Sequence, residues 1–162
     1  MSDNIKTNAF RMLDKKKISY KVHTYEAGDK IDGISVAEKL GQDVNKVFKT
    51  LVTHGKSGNY YVFVVPVAEE LDLKKCAKSV GEKSVEMIAV KDLLKTTGYI
   101  RGGCSPVGMK KQFKTVFHIT ADEIDSIIVS GGKIGLQMEL KPADLISAVN
   151  GQTADIIMNN NK

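Results

Sequence analysis

The sequence has no tryptophan, two cysteines, three prolines, five tyrosines and five phenylalanines. Cys76 and Cys104 lie far apart without a CxxC spacing, so a disulfide framework is not expected. The three histidines follow no HxxxH or HExxH pattern, and we therefore predict no metal site. The Rossmann and Walker glycine motifs are absent, and we expect no cofactor. Aromatic residues are too sparse to indicate a stacking platform for single-stranded nucleic acid.

Long apolar runs are also missing, since none approaches the ~20 residues that span a bilayer. The first residues lack the basic-then-apolar layout of a signal peptide. We therefore expect a cytoplasmic protein with no membrane partner. The 162 residues suffice for one domain with a real core. The net charge of +5 is compatible with RNA as a partner, whereas DNA is not expected.

Residue patterns predict about seven strands and five helices, interleaved irregularly. Helices are predicted over about 3–16, from a capping box at Ser35 to Gly41, from Asp72 to Gly81, over 91–95 and from Pro142 to Gly151. Strands are predicted over about 18–23, 46–54, 60–65, 85–88, 114–119, 126–129 and 136–140, with 153–157 as an optional final strand, and a loop is predicted over 28–33. The hairpin within 46–65 requires antiparallel pairing, which indicates an α+β fold with a mixed sheet.

Two glycine-rich stretches are the most informative part of the chain. Residues 97–108 and 129–135 hold seven of the fourteen glycines, and each adjoins an apolar run typical of a strand. Glycine is used where the backbone takes a positive φ or approaches another group closely. Exposed backbone N–H groups in such loops bind anions or carbonyl oxygens. Both stretches are therefore predicted to be ordered binding loops.

Lys49 lies inside the strand-like run Val47-Phe-Lys-Thr-Leu-Val52, which is apolar on both faces. A lysine there extends to the strand edge and water, or it faces a cavity. In a cavity, desolvation lowers its pKa unless an anion restores the charge. Such a lysine is suited to hold a phosphate, a carbonyl oxygen or a ribose oxygen. The residues alone leave both alternatives open.

Several short motifs occur in an order and at a spacing that resemble the YbaK/EbsC proteins, relatives of the editing domain of bacterial prolyl-tRNA synthetases. They are His23-Thr-Tyr-Glu26, Val47-Phe-Lys-Thr-Leu51, Leu71-Asp-Leu-Lys-Lys75, Val85-Glu-Met87, Thr97-Gly-Tyr99, Gly102-Gly103, Ser105-Pro106 and Val129-Ser-Gly-Gly-Lys133. The resemblance covers almost the whole chain. It implies a single editing domain over 1–158, with a disordered tail over 159–162, built on a mixed, mostly antiparallel, barrel-like sheet flanked by helices.

The resemblance further implies a trans-editing deacylase of mischarged aminoacyl-tRNA, with Cys-tRNA(Pro) as substrate. The substrate thiol would attack its own ester and release a cyclic thiolactone, which agrees with the lack of a nucleophile–base pair in the sequence. The implied catalytic residues are Lys49, Gly102 and Gly103, with Gly102 and Gly103 as oxyanion donors. The implied substrate-binding residues are Tyr25, Thr50, Ser130, Gly131 and Gly132. A complex with prolyl-tRNA synthetase is a further implied partner.

Three alternatives stay open at this point. The chain could be a tRNA- or synthetase-binding module without efficient catalysis, a protein that binds nucleotides or small anions, or an Ala-tRNA(Pro) deacylase that uses activated water. Cys104 or a histidine could also be catalytic, although a small buried thiol and structural histidines are commoner. Cys104 and Ile134 depart from the family pattern, which commonly has an aliphatic residue and an arginine there.

Overall fold

A computed structural model describes residues 6–26 and 32–159 of the chain. In that part of the chain there are five α-helices and eight β-strands. The helices are α1 Asn8–Lys15, α2 Gly33–Leu40, α3 Leu73–Val80, α4 Val90–Thr97 and α5 Pro142–Ala148. The strands are β1 Lys21–Thr24, β2 Phe48–Gly55, β3 Tyr60–Pro66, β4 Val85–Met87, β5 Lys114–His118, β6 Ile127–Lys133, β7 Leu136–Leu140 and β8 Gln152–Ala154. Short 3-10 turns cover Val44–Lys46 and Ile119–Glu123.

The strands form two sheets. The larger has the order β4-β2-β3-β5-β8, in which β3, β5 and β8 pair in parallel and the other pairs are antiparallel. The smaller is antiparallel, with the order β1-β7-β6. A parallel bridge between Val47 and Ile128 joins the two sheets just before β2 begins. The predicted α+β fold with a mixed, mostly antiparallel sheet is therefore confirmed, although the described strands do not close into a barrel.

Both faces of the larger sheet are buried, which explains why β2 and β3 are apolar on both sides. One face packs with α1, α5 and the smaller sheet around residues that include Phe10, Val62, Phe117 and Met138. The opposite face carries Tyr61, Phe63, Val65 and Val116, which pack with Cys76 and Ala77 of α3. Because strand residues alternate between faces, Lys49 lies on the α3 side and Thr50 lies between the sheets.

Most helix boundaries follow from local chemistry. Asp72 accepts hydrogen bonds from the N–H groups of Lys74 and Lys75 at the start of α3, and left-handed Gly81 ends that helix, as predicted. The predicted capping box at Ser35 is wrong. Asp32 caps α2 instead, and its carboxylate accepts from the Ser35 N–H at 2.9 Å.

Other predicted helices and strands differ from the structure at their ends. The first strand is shorter than predicted, since it begins at Lys21, and α4 is longer than the predicted 91–95. The predicted loop over 28–33 ends earlier than expected, since Gly33 already belongs to α2. Residues 28–31 of that loop, the start of the first predicted helix and most of the predicted tail lie outside the described residues. No helix in the described ranges is long and apolar enough to cross a membrane.

Candidate functional site

The site lies where one edge of β2 loses its pairing. Val47 accepts a hydrogen bond from the Val67 N–H at 2.9 Å, and Gly55 donates to Asn59 at 2.7 Å, so the odd-numbered residues of β2 bond to β3. The N–H and C=O of Thr50 therefore point to the other edge. Along that edge β4 pairs only with residues 53–55. Just before them, the C=O of Val52 accepts a hydrogen bond from the Ile88 N–H at 3.2 Å. Residues 49–51 of β2 thus border a gap between the two sheets.

A cavity of about 890 Å³ fills this gap. Its volume lies in the range of sites for small ligands. Five of the eight predicted site residues line it, namely Tyr25, Lys49, Thr50, Gly102 and Ser130. The structure thus brings together residues that are more than a hundred positions apart in the chain.

Lys49 is half-buried in the wall of the cavity, so the cavity alternative describes its position. Burial lowers the pKa of Lys49 below the ordinary lysine value, and the charges of Glu70 and Glu69 act in the opposite direction. No carboxylate among the described residues lies within 4 Å of its ammonium group. An anionic ligand would supply the counter-charge that this group lacks.

Thr50 contributes a second unsatisfied group. Its Oγ1 is buried and has no hydrogen-bond partner within the described part of the chain. A buried hydroxyl without a partner costs about 1–3 kcal/mol, and such groups are rare in folded proteins. Polar atoms of a ligand in the cavity would give the hydroxyl and the backbone N–H and C=O of this residue hydrogen-bond partners.

The first glycine-rich stretch forms a turn at the cavity mouth. Gly102 has φ 88°, and the N–H of Gly103 donates to the C=O of Ile100 at 2.9 Å, which defines a type II β-turn. The Gly102 N–H has no acceptor among the residues that the structure describes. Of the two predicted oxyanion donors, Gly102 therefore has an N–H available, whereas the N–H of Gly103 is engaged within the turn.

The second glycine-rich stretch is a β-bulge. The register of β6 against β7 passes from Ser130–Gln137 to Lys133–Leu136, so Gly131 and Gly132 are extra residues in β6. The Gly132 N–H donates to Ser130 Oγ at 3.1 Å, which fixes that hydroxyl in the cavity wall. The bulge therefore orients Ser130 toward the site.

Three of the predicted site glycines serve packing, and none of them lines the cavity. A Cβ on Gly103 would lie 3.0 Å from the backbone nitrogen of Ile134, a Cβ on Gly131 would lie 2.9 Å from the ring of Phe10, and a Cβ on Gly132 would lie 3.0 Å from Tyr99. The two glycine-rich stretches therefore pack directly against each other. Any role of these three glycines in the site acts through the position of their neighbours.

Cys104 lies in the cavity wall with only 8% of its surface exposed. Burial raises the pKa of its thiol to about 12, which makes a thiolate scarce near neutral pH. Asp32 also lines the cavity, but its carboxylate caps α2. The described lining residues therefore include no histidine and no nucleophile paired with a base.

Three further polar residues line the cavity that were not predicted from sequence patterns, namely Asp32, Arg101 and Gln137. Arg101 precedes Gly102 in the turn, so its place inside a glycine-rich stretch was an available signal. Gln137 accepts a hydrogen bond from the Gln42 side chain at 2.7 Å. Nothing in the sequence distinguishes Gln137 from other polar residues of a half-buried strand.

Comparison with known proteins identifies the family. The aminoacyl-tRNA editing domain family matches residues 31–148 of this chain. The chain belongs to this family. It is 51% identical over 152 residues to an Enterococcus faecalis protein, EbsC, named as a candidate Cys-tRNA(Pro)/Cys-tRNA(Cys) deacylase, and the match covers 93% of each chain. The resemblance inferred from the motifs is therefore confirmed.

Editing-domain relatives also occur within longer proteins. A proline–tRNA ligase of Fervidobacterium nodosum is 36% identical over 75 residues, which is 46% of this chain and 13% of the ligase. Among solved structures, one described as a candidate trans-editing enzyme for prolyl tRNA synthetase superposes with a TM-score of 0.82 at 23% identity, covering 96% of this chain and 100% of its own. A hypothetical protein superposes with a TM-score of 0.86 at 19% identity, covering 94% and 100%. At these identities the two structures show the shared fold alone.

Proposed function

We propose that this chain is a deacylase of mischarged aminoacyl-tRNA and that Cys-tRNA(Pro) is its substrate. One observation carries the proposal. The cavity wall supplies a lysine, three hydroxyls and a free backbone N–H, but no nucleophile–base pair among the described residues. Such a site positions the substrate and stabilises the charge that develops on it, so the nucleophile has to be a water molecule or a group of the substrate. A cysteinyl ester carries its own thiol.

In the proposed step the substrate thiol loses its proton to solvent and its sulfur attacks the carbonyl carbon of the same aminoacyl ester. The C–S bond forms and the bond between the carbonyl carbon and the ribose oxygen breaks. The ribose oxygen takes up a proton, which releases the tRNA and a cyclic thiolactone. Holding the thiol near the carbonyl converts a slow encounter into an intramolecular reaction.

Each residue of the cavity wall has a part in this step. The Gly102 N–H donates to the oxygen of the carbonyl as negative charge develops there, the contribution that is usually largest in acyl transfer. The ammonium of Lys49 holds an oxygen of the 3′-terminal adenosine. The hydroxyls of Tyr25, Thr50 and Ser130 orient the ester and the amino group. The close packing of the two glycine-rich stretches keeps the distance between Gly102 and Ser130 constant. This packing depends on Gly103, Gly131 and Gly132.

The tRNA body is the second half of the substrate, and a complex with a prolyl-tRNA synthetase would supply tRNA selection. Two relationships support that partner. The chain is similar to segments of proline–tRNA ligases, and its fold is that of a candidate trans-editing enzyme for prolyl tRNA synthetase. Co-purification of the two proteins in the presence of tRNA-Pro tests this part of the proposal.

The test of the chemistry compares three esters on one tRNA body. Cys-tRNA(Pro) should be deacylated much faster than Ser-tRNA(Pro) or Ala-tRNA(Pro), because a hydroxyl is a far weaker nucleophile than a thiol and a methyl group has none. The rate should rise toward the thiol pKa near ~8.5, after subtraction of spontaneous hydrolysis. Trapping should detect the thiolactone before free cysteine.

The other outcomes assign the site differently. Comparable rates on Ala-tRNA(Pro), or free cysteine without a thiolactone, would indicate an activated water and alanine editing. Binding of tRNA-Pro without deacylation of any ester would identify a binding module.

A further inference from the structure

The positive charge of the chain is concentrated in one segment. Residues 87–114 contain six of the 24 lysines and arginines but only one of the 19 aspartates and glutamates. The remaining 18 basic and 18 acidic residues cancel. The whole net charge of +5 therefore arises from these 28 residues.

This segment also forms one side of the cavity mouth. It runs through the end of β4, α4 and the first glycine-rich stretch to the start of β5. All six of its cationic residues are exposed, namely Lys91, Lys95, Arg101, Lys110, Lys111 and Lys114. Residues 87–90, Leu93, Arg101 and Gly102 line the cavity itself. The basic residues thus begin at the cavity and extend outward over α4.

The cations are connected in space. Lys91 and Lys95 are one helical turn apart on α4. The Lys110 ammonium lies 3.4 Å from the C=O of Lys95, which brings the end of the glycine-rich stretch back to α4. Arg101 lies in the turn at the cavity mouth. We call Lys91, Lys95, Arg101 and Lys110 the basic surface.

Few of these charges have partners within the described ranges. Lys95 pairs with Asp92 at 3.1 Å, and the other three cations of the basic surface have no carboxylate within 4 Å. Like charges held close together on a surface raise the local potential and attract a polyanion. Val90, Leu94 and Ile100 are 61%, 54% and 51% exposed beside them and offer apolar contacts to unpaired bases.

We propose that the basic surface binds the phosphodiester backbone at the end of the RNA whose 3′ terminus enters the cavity. This inference rests on the proposed function, because the RNA and the cavity belong to one substrate. Phosphate contacts of this kind set affinity and position, whereas the cavity recognises the aminoacyl group. A protein that uses the exposed apolar residues of α4 is the alternative occupant.

The experiment measures binding of uncharged tRNA-Pro by fluorescence anisotropy between 50 and 200 mM KCl. The test variant is Lys91→Gln/Lys95→Gln on α4. The matched control is Lys74→Gln/Lys78→Gln on α3, which has the same length, the same spacing and exposed lysines that do not line the cavity. Both variants change only surface side chains, so their melting temperatures should match the wild type.

The α4 variant should bind tRNA about 2- to 30-fold more weakly than the wild type, from two exposed charge contacts. The slope of log affinity against log salt should become shallower by about 1.4–1.8, since each lost phosphate contact contributes ~0.7–0.9. The α3 variant should keep both values. Equal affinity and slope in the two variants would overturn the proposal, and so would loss of binding to a prolyl-tRNA synthetase with unchanged binding to tRNA.

A second experiment distinguishes failure of RNA binding by the basic surface from failure of the proposed chemistry. On 2′(3′)-O-cysteinyl adenosine, which lacks the RNA body, the α4 variant should have the same kcat/KM as the wild type. On Cys-tRNA(Pro), its kcat/KM should be lower than that of the wild type. Equal losses on both substrates would show that α4 acts on the cavity and not on the RNA. If the wild type deacylates neither substrate, the proposed chemistry fails, but the salt dependence of tRNA binding still decides whether the basic surface binds RNA.

Discussion

Replacing Lys49 by methionine should abolish most activity without weakening the fold. The substitution removes the ammonium group and keeps an unbranched side chain of similar length in the half-buried position. Removing one preorganised electrostatic contact from an acyl-transfer site lowers the rate by about 10²–10³, or about 2.7–4 kcal/mol. We expect a loss of that size in kcat/KM on Cys-tRNA(Pro).

Stability should move in the opposite direction. Burial lowers the pKa of Lys49 in the folded state, so between that pKa and 10.5 the unfolded chain binds more protons than the folded chain. The stability of the wild type therefore rises with pH through that window, and the charged lysine is unfavourable below it. Lys49→Met removes this penalty, and its melting temperature at pH 7 should equal or exceed that of the wild type.

The pH dependence of the rate supplies an independent check. For the wild type, kcat/KM should rise as the substrate thiol ionises near ~8.5 and fall as Lys49 loses its proton at a pH below 10.5. Lys49→Arg keeps a charge at all of these pH values and should lose the descending limb. Lys49→Met with activity within threefold of the wild type, or with a melting temperature several degrees lower, would refute this reasoning.

Three further predictions concern the cavity wall. Thr50→Val and Thr120→Val each remove a buried hydroxyl that has no partner in the described residues, so the thermal stability of both variants should be equal to or higher than that of the wild type. Only Thr50→Val should lower kcat/KM, by about tenfold. Equal kcat/KM values for the two variants would exclude a substrate contact at Thr50. Gly103→Ala should lower stability by about 1–3 kcal/mol in denaturant titrations, because its Cβ meets the backbone of the second loop; lost activity at unchanged stability would instead place Gly103 against the substrate. Cys76→Ala/Cys104→Ala should keep single-turnover rates within a few-fold, since burial raises the pKa of each thiol to about 12, and abolished turnover with intact tRNA binding would identify an enzyme thiol.

Local signals predicted the secondary structure where neighbours in the chain determine it. The boundaries of α3 follow from Asp72 and Gly81, and the hairpin of β2 and β3 follows from its turn residues. The Ser35 capping box was wrong because Asp32, three residues earlier, provides the same hydrogen bond to a free helix N–H. The Asp32 cap and the Ser35 capping box are equally good patterns in the sequence, and tertiary packing determines which of them forms.

The glycines illustrate what sequence reasoning leaves undetermined. Their number in 97–108 and 129–135 indicates ordered loops, and the structure forms a β-turn and a β-bulge there. The number of glycines does not indicate which of them face a ligand and which allow a neighbouring backbone to approach closely. Gly102 lines the cavity and Gly103 does not, although the two are adjacent, because one occupies the left-handed position of a turn and the other contacts residues 133–134. That distinction depends on the meeting of two distant loops.

The position of the cavity follows from an interruption in strand pairing. The edge of β2 is paired near residue 47 by β6, at residue 52 by Ile88 and over 53–55 by β4. The residues between 47 and 52 that lack pairing on this edge supply Lys49 and Thr50 to the site. An unpaired edge and a buried hydroxyl without a partner both cost stability. The fold tolerates them because Phe48 and Val52 of the same strand are buried between the sheets and the neighbouring strand β3 is buried over almost its whole length.

A nucleophile that belongs to the substrate divides the problem of specificity in two. In the proposed mechanism the thiol distinguishes cysteine from alanine and serine by reactivity, so the cavity needs little further selectivity for the side chain. That chemistry is identical for a correctly charged Cys-tRNA(Cys) and a mischarged Cys-tRNA(Pro), because both end in the same ester. Selection between the two RNAs must therefore arise outside the cavity. The basic surface beside its mouth binds phosphates without reading sequence, so it supplies affinity for both RNAs, and the choice between them has to come from tRNA shape or from a synthetase partner.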